Sequence, residues 1–477
     1  MSGKRPNILL MVADTQRAAN LHCYGHDKPT SPTWDAVAAE GVLCEQNISP
    51  GIWSLPGYAS MMTGVHVYTH RGDGDHEYVN RELPTIAEVL SRAGYQTCGI
   101  MSNAWGSGVV GLERGFEVYV DRGMHGANAP GGAWTVPPME AKGGAALNIE
   151  TVEKWLDDRD TDRPFFLFTI FADPHATYHP PEQTMREFMM SGVSEEELQS
   201  VLKRQNVIRV VAEQVKFSPR EWQILHCLND AEVRTCDGKF AKVLDALKRR
   251  GLYDDTVIIL TSDHGDVMGD RPPWWGHLGE ICDSLIHVPL IVRHPDLFGQ
   301  GERIKGITQT LDVFATMCEI AGVDVPVPAD GQSRSLVAAA KGERLRDFAL
   351  AEAFKPVQLM ERVLRDAPDF DVRRYNRSLK AWRSVTEKYV YATDGRDEYY
   401  DLTADPAQHH NLIETHGARA NELREQMIEF LQGLPHYEFG DLQSAWPPKA
   451  ARPEIAHRLQ AMGLYRKVID WPDWAPR

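Results

Sequence analysis

The run "TSDHGD" sets Asp263 beside His264, with Asp266 two residues on. A carboxylate and an imidazole adjacent at the end of an apolar stretch suit a divalent cation, since oxygen and nitrogen lone pairs together fit manganese, zinc or calcium. Two other apolar stretches end in comparable residues. "VADTQR" gives Asp14 and Thr15, and "FADPHATYHPP" gives Asp173, His175 and His179. Taken singly, an Asp in such a place is ordinarily a cap or a turn residue. Then there is "WSLPGYAS". Pro56 suits the first turn of a helix, so Ser54 falls at or just before a helix N-terminus, where unpaired N–H groups and the helix dipole favour negative charge. Ser54 is thus either an ordinary N-cap or a nucleophile held where an anion is welcome. A metal pair, a hydroxyl and imidazole donors in one chain point to chemistry on an anionic group.

Those residues need a scaffold that brings distant segments together. "NILLMVAD", "QTCGIMS", "RPFFLFTIFAD" and "DDTVIILTSDHG" read as strands. "SPTWDAVAAEG", opened by Ser31-Pro32 and stopped by Gly41, reads as a helix, as do "LPTIAEVLSRAGY" and "DGKFAKVLDALKRRG". The alternation predicts an α/β fold, a mostly parallel sheet covered by helices on both faces, with ligands at the carboxyl ends of the strands. From about 182 to 230 the rhythm breaks. Two helix starts of capping-box pattern, Ser194…Glu197 and Ser218-Pro219…Glu221, mark a helical insertion that serves as a lid or an oligomer contact. Beyond about 345, "AWRSVTEKYVYAT" and "DEYYDLTADP" read as a hairpin-like set of strands, followed by the helix "ARANELREQMIEFLQG". The expected division is a main α/β domain over 1–345, a smaller α+β unit over 346–435 with an antiparallel sheet and one covering helix, and a Trp- and Pro-rich tail over 436–477 that packs on the body.

With 477 residues, 43% of them hydrophobic and 25% charged, the chain has the composition of a globular protein with room for two domains. A net charge of −16 argues against a nucleic-acid or anionic-membrane partner. It leaves a small anionic substrate open, because a metal reverses the local field. No run reaches the roughly 20 apolar residues of a membrane span. "ILLMVA" is too short for a signal-peptide core and ends in Asp14. The seven cysteines are scattered and lack paired metal spacing, which fits reduced thiols and a cytoplasmic location. The insertion and tail offer surfaces for a homo-oligomer.

The landmarks "RPNILLMVADTQR", "CYGHDKPTSPTWDAVAAEGV", "WSLPGYASMMTG", "LPTIAEVLSRAGYQT", "LKRRGLYDDTVIILTSDHGD", "HVPLIVRHP", "LDVFATMCEIAGV", "YYDLTADPAQHHNL" and "EIAHRLQAMGLY" follow one another in an order that resembles the sulfatase family of the alkaline phosphatase superfamily. The resemblance covers nearly the whole chain. It implies a metal site on Asp14, Asp263 and His264, with Ser54 at the nucleophile position. Where members carry a second adjacent acid, this chain has Thr15; where others carry one further on, it has Asn20. His175 matches a histidine that contacts the substrate or leaving group, and His179 follows it in the same loop as a substrate-binding candidate. His277, in "WWGHLGE", falls near a position where a lysine or histidine meets the substrate; its alternative is a loop histidine packed beside Trp274 and Trp275. The family's Gly-Lys-Trp-His-Leu-Gly element reads "IMSNAWGSG" here, leaving Asn103 as a hydrogen-bond donor. His66, His70 and Arg71 follow the nucleophile helix. Arg71 is the better candidate to meet an oxyanion, a surface salt bridge being its alternative. Trp53, Trp105, Trp134, Trp274 and Trp275 suggest an aromatic or sugar-like wall near the mouth.

The main departure lies in the family's Cys/Ser-x-Pro-x-Arg motif, from which a formylglycine is made. Here it reads Ser54-Leu55-Pro56-Gly57-Tyr58, without the arginine, so no formylglycine is expected. A formylglycine hydrate expels sulfate by collapsing, whereas a plain serine ester must be attacked by water, and phosphorus accepts a plain serine more readily. The expectation is a metal-dependent hydrolase of small anionic esters, a phosphate diester or monoester or a phosphonate ester. It would use one divalent ion (manganese, zinc or calcium), possibly with a second. The alternatives are a sulfuric ester hydrolase acting without formylglycine, and a non-catalytic sulfatase-like binding protein.

Overall fold

The computed structural model describes residues 5–73, 78–106, 108–121, 140–270, 275–277 and 279–435. The tail expected from 436, Trp134 and Trp274 lie outside them. The strands are β1 Asn7–Ala13, β2 Val42–Ile48, β3 Gln96–Met101, β4 Val118–Asp121, β5 Phe165–Phe171, β6 Thr256–Ser262, β7 Val267–Met268, β8 Trp275–Gly276, β9 Leu290–Arg293, β10 Glu302–Gln309, β11 Ala349–Ala353, β12 Leu379–Arg383, β13 Glu387–Ala392 and β14 Glu398–Asp401. The eight-stranded main sheet runs β10-β2-β9-β6-β1-β5-β3-β4. Every neighbouring pair is parallel except those made by β9, which runs antiparallel to both β2 and β6. This is the α/β architecture that the sequence pattern predicts.

Side chains alternate across a strand, so a central strand covered on both faces must be apolar throughout. In β1, Ile8, Leu10 and Val12 enter one core cluster while Leu9, Met11 and Ala13 enter another. Helices Ser54–Thr63, Ile86–Arg92 and Asp312–Ala321 cover the first face. Helices Pro32–Glu40, Glu140–Asp158 and Pro219–Arg249 cover the second.

Two differences from the sequence reading have local causes. The helix foreseen at "DGKFAKVLDALKRRG" is the second half of one 31-residue helix that starts at the complete Ser218/Glu221 capping box. The insertion's boundary near 230 therefore falls inside a helix. Gly238 does not break it, and nothing lies within 4 Å of where its Cβ would be. Helix Pro32–Glu40 does begin after Ser31, but Ser31 makes no capping bond to it. Asp237, from the long helix, accepts instead from the Thr33 and Trp34 N–H groups at 2.8 and 3.2 Å.

The smaller sheet, β11-β12-β13-β14, is antiparallel throughout and carries helix Gly417–Gly433 on one face through Leu350, Trp382, Tyr389, Leu423 and Met427. Its edge strand β11 joins the main body: the Glu352 N–H donates to Pro50 O at 2.8 Å, and the Tyr68 N–H donates to the Glu352 carboxylate at 2.7 Å. All seven cysteines are free thiols. Among the described residues no helix is long and apolar enough to cross a membrane.

Candidate active site

Because β1, β3, β5 and β6 are parallel and in register, their carboxyl ends lie at one edge: Ala13 pairs with Phe171 and Ser262, and Met101 pairs with Ile170. Asp14, Asn103, His175, Asp263 and His264 follow those ends directly. Ser54 arrives from β2 through the loop 49–53, whose Ser49 hydroxyl donates to Asp263 O at 2.5 Å. Ser54 is the first residue of its helix, with Trp53 extended before it. One turn on, Gly57 lets the helix sit against Asp263, where a Cβ would come within 2.6 Å of the Asp263 carbonyl oxygen.

Asp14, Asp263 and His264 are buried and offer ligand atoms within 4.8 Å of one another. His264 Nε2 lies 3.7 Å from Asp14 Oδ1 and 3.5 Å from Asp263 Oδ2. His264 Nδ1 sits 2.7 Å from Gly265 O, and this fixes Nδ1–H as a donor and turns the Nε2 lone pair inward. The other oxygen of each acid is occupied. Asp263 Oδ1 accepts from the Thr15 and His264 N–H groups at 3.2 and 2.9 Å, and Asp14 Oδ2 accepts from Asn103. Asp14 Oδ1 and Asp263 Oδ2 are buried and accept nothing. Two orphaned carboxylate oxygens and an inward imidazole lone pair fit a divalent cation. Thr15, a candidate ligand from the sequence, meets Asp263 through its backbone, in the left-handed region at φ 61°. Burial, and for Asp14 next the charge of Asp263, holds both carboxyls above their usual range. Burial and then His277 hold the His264 imidazole far below its usual range.

The Ser54 hydroxyl lies 3.3 Å from His264 Nε2 and accepts from Asn103 Nδ2 at 3.3 Å. The Asn103 amide is oriented by its own oxygen, which accepts the Trp105 N–H at 2.7 Å. The His277 ring packs 4.6 Å from that of His264 and 5.2 Å from that of His175. Asp266 holds His277 Nδ1 at 3.3 Å and takes the Tyr178 hydroxyl at 3.3 Å on its other oxygen. Burial, then His277, pushes the His175 imidazole below its usual range.

The other sequence candidates have varied surroundings. His179 has an exposed side chain, and its N–H donates to Glu232. Arg71 is buried rather than a surface residue, ends helix Val67–His70 at φ 54°, and lies beside Tyr68 and Tyr78. His66 and His70 are buried core groups bonded to Gln332 and Gln309, and to Ser60 and the Gly72 N–H. Asn20 pairs with Asn229 at 2.7 Å. Trp53 and Trp105 pack edge to face at 4.9 Å beside Ser54, whereas Trp275 is buried against Tyr178, Phe217 and Trp222. Two site residues had no assigned place in the sequence reading: Tyr178, behind Asp266, and Tyr58, on the face of Ser54's own helix. The i, i+4 spacing from Ser54 was the available signal for Tyr58.

Comparison with known proteins places the chain among hydrolases of ester bonds. The family model described as Sulfatase matches residues 6–323, and the chain belongs to that family. A second model, N-sulphoglucosamine sulphohydrolase, C-terminal, matches residues 280–435. The N-acetylglucosamine-6-O-sulfatase of Bacteroides thetaiotaomicron is 23% identical over 86% of this chain and 83% of its own length. The choline-sulfatase of Rhizobium meliloti is 26% identical over 87% of this chain and 83% of its own. Among solved structures, the phosphonate monoester hydrolase of Agrobacterium radiobacter superposes with a TM-score of 0.71 at 23% identity, covering 90% of this chain and 95% of that one.

Proposed function

We propose that the chain hydrolyses small anionic esters of phosphorus, phosphonate monoesters or phosphate diesters and monoesters, with Ser54 as the nucleophile. The observation that carries the reading is the Ser54 hydroxyl held between His264 Nε2 and Asn103 Nδ2, at 3.3 Å from each, in a motif without the arginine that formylglycine formation needs. Asp14, Asp263 and His264 would hold a divalent ion, which supplies charge for the reacting oxygens and lowers the pKa of a neighbouring hydroxyl.

Ser54 releases its hydroxyl proton to solvent as Oγ attacks phosphorus in line, and the bond to the departing alcohol breaks with its electron pair on the alcohol oxygen. Asn103 orients Oγ. His277, fixed through Nδ1 by Asp266, gives a proton to the leaving oxygen, and His175 contacts the same region. Water then attacks the phosphoseryl ester, the bond from phosphorus to Ser54 Oγ breaks, and the proton the water gives up is carried by a histidine to Oγ. Sulfate esters form a second reading, favoured by the names of the curated relatives, N-acetylglucosamine-6-O-sulfatase and choline-sulfatase.

Matched nitrophenyl esters test both: sulfate, phosphate monoester, phosphate diester and phosphonate monoester, each with manganese. A phosphorus ester is expected to lead in kcat/KM, with Ser54→Ala losing about a thousandfold or more. A leading sulfate ester would transfer the assignment to the second reading, and intact mass would then show whether Ser54 had been oxidised. Activity surviving in Ser54→Ala would remove the nucleophile.

A further inference from the structure

Tyr58 stands one helical turn beyond Ser54, so the two side chains share a face of helix Ser54–Thr63. The side chain is fully buried, and its hydroxyl faces Asp263 and Ser54 without meeting either at full hydrogen-bond geometry. Its surroundings are those of the site: Asp14, Asp263 and Ser54 are the polar groups that act on it. A buried hydroxyl left unpaired normally costs about 1–3 kcal/mol, so its retention beside a reacting serine calls for an explanation. The position is also the one at which the formylglycine motif has its arginine. A phenol there removes the positive charge and keeps a donor.

What an unmodified serine lacks is an easy departure. In the second half of the reaction the water oxygen bonds to phosphorus, and the bond to Oγ breaks with its electron pair on Oγ. The proton that water gives up, carried by a histidine, restores the serine hydroxyl. We propose that Tyr58 is a positioning residue that donates its O–H to Ser54 Oγ in the phosphoseryl ester and so eases the departure of the plain serine. It keeps its own proton throughout, since a phenol is neutral at the pH of the reaction and only lends its O–H.

The inference rests on Ser54 as nucleophile, and the test separates the two. Wild type, Tyr58→Phe and Ser54→Ala, loaded with manganese, are assayed on a nitrophenyl phosphonate monoester, with intact mass taken at steady state and thermal unfolding of each variant. Tyr58→Phe is expected to keep KM, lose about a hundredfold in kcat, and accumulate a covalent phosphonyl adduct on Ser54. Its melting temperature should hold or rise, since the change removes an unpaired polar atom. Wild-type kcat in Tyr58→Phe overturns the inference alone, provided Ser54→Ala is inactive. A fall in kcat without adduct but with lost stability assigns Tyr58 a purely structural role and overturns it too. Activity in Ser54→Ala overturns both readings, as no serine then departs. Tyr58→Met, flexible and without a donor, is read in the same way if the Phe variant misfolds.

Discussion

At the scale of single residues, the chemistry is set by two carboxylate oxygens that face each other across His264 without a partner. The raised pKa values of Asp14 and Asp263 mean that the metal-free fold prefers to keep a proton between them. The stability they lend is complete below the ordinary value of 3.8 and is lost as pH rises through the raised values. His264, held low, works in the opposite sense, costing stability as pH falls below 6.5. A divalent ion displaces the shared proton. The rise in melting temperature on adding manganese should therefore be larger near pH 8 than near pH 5.5; an equal rise would show that the acids do not hold the ion. Asp263→Asn should lower manganese affinity by at least about tenfold, read by calorimetry. His277→Ala should lower kcat by about a hundredfold, most on esters with poor leaving groups. The gathering of Asp14, Ser54, Asp263 and His264 was legible because each follows a strand end or opens a helix, and parallel strands end together. The histidine row was legible only in its members. That Asp266 holds His277, or that Tyr58 meets neither Asp263 nor Ser54 at full hydrogen-bond geometry, depends on packing between segments with no fixed spacing in sequence.

Elements show the same division between pattern and contact. Strand positions were read from apolar runs, since β1, β3, β5 and β6 are buried on both faces along almost all of their length and are mostly apolar. The capping-box patterns at Ser194 and Ser218 announced their helices because the motif is local, although only Ser218 completes the box and Ser194 makes the forward bond to the Glu197 N–H alone. The cap of helix Pro32–Glu40 was not legible, as Asp237 comes from about two hundred residues away. Asp237→Ala should lower stability by about 1–2 kcal/mol and leave the site intact, measurable by urea unfolding with unchanged kcat. The nucleophile helix is more demanding. Gly57→Ala would set a methyl 2.6 Å from the Asp263 carbonyl, forcing the helix and the ligand loop apart. A loss of about 1–3 kcal/mol is expected together with weaker manganese binding. Stability lost with the metal affinity unchanged would place the strain elsewhere.

Across the whole molecule the small sheet reaches the site through an internal ion cluster. Lys388, fully buried on β13, donates to Ile281 O at 2.6 Å and lies 3.2 Å from Asp283, which Arg383 also binds at 2.9 Å. Against the upward push of burial, Arg383 and Lys388 hold the Asp283 carboxyl low. Asp283 opens the short helix whose Leu285 carbonyl accepts the Gly265 N–H at 2.7 Å, next to His264. Lys388→Met should cost about 1–3 kcal/mol, since Asp283 loses one of two cationic partners and the Ile281 carbonyl loses its donor, and should reduce manganese affinity as well. The central place of β1 has a consequence for synthesis. It pairs with β5 and β6, and the Thr15 N–H finds its acceptor 248 residues further along. At about 5–20 residues per second, a ribosome leaves the apolar strand "NILLMVA" without both neighbours for roughly 10–50 s after it emerges. The strand is made long before both its neighbours exist, so the yield of native chain should depend on what shields that segment meanwhile.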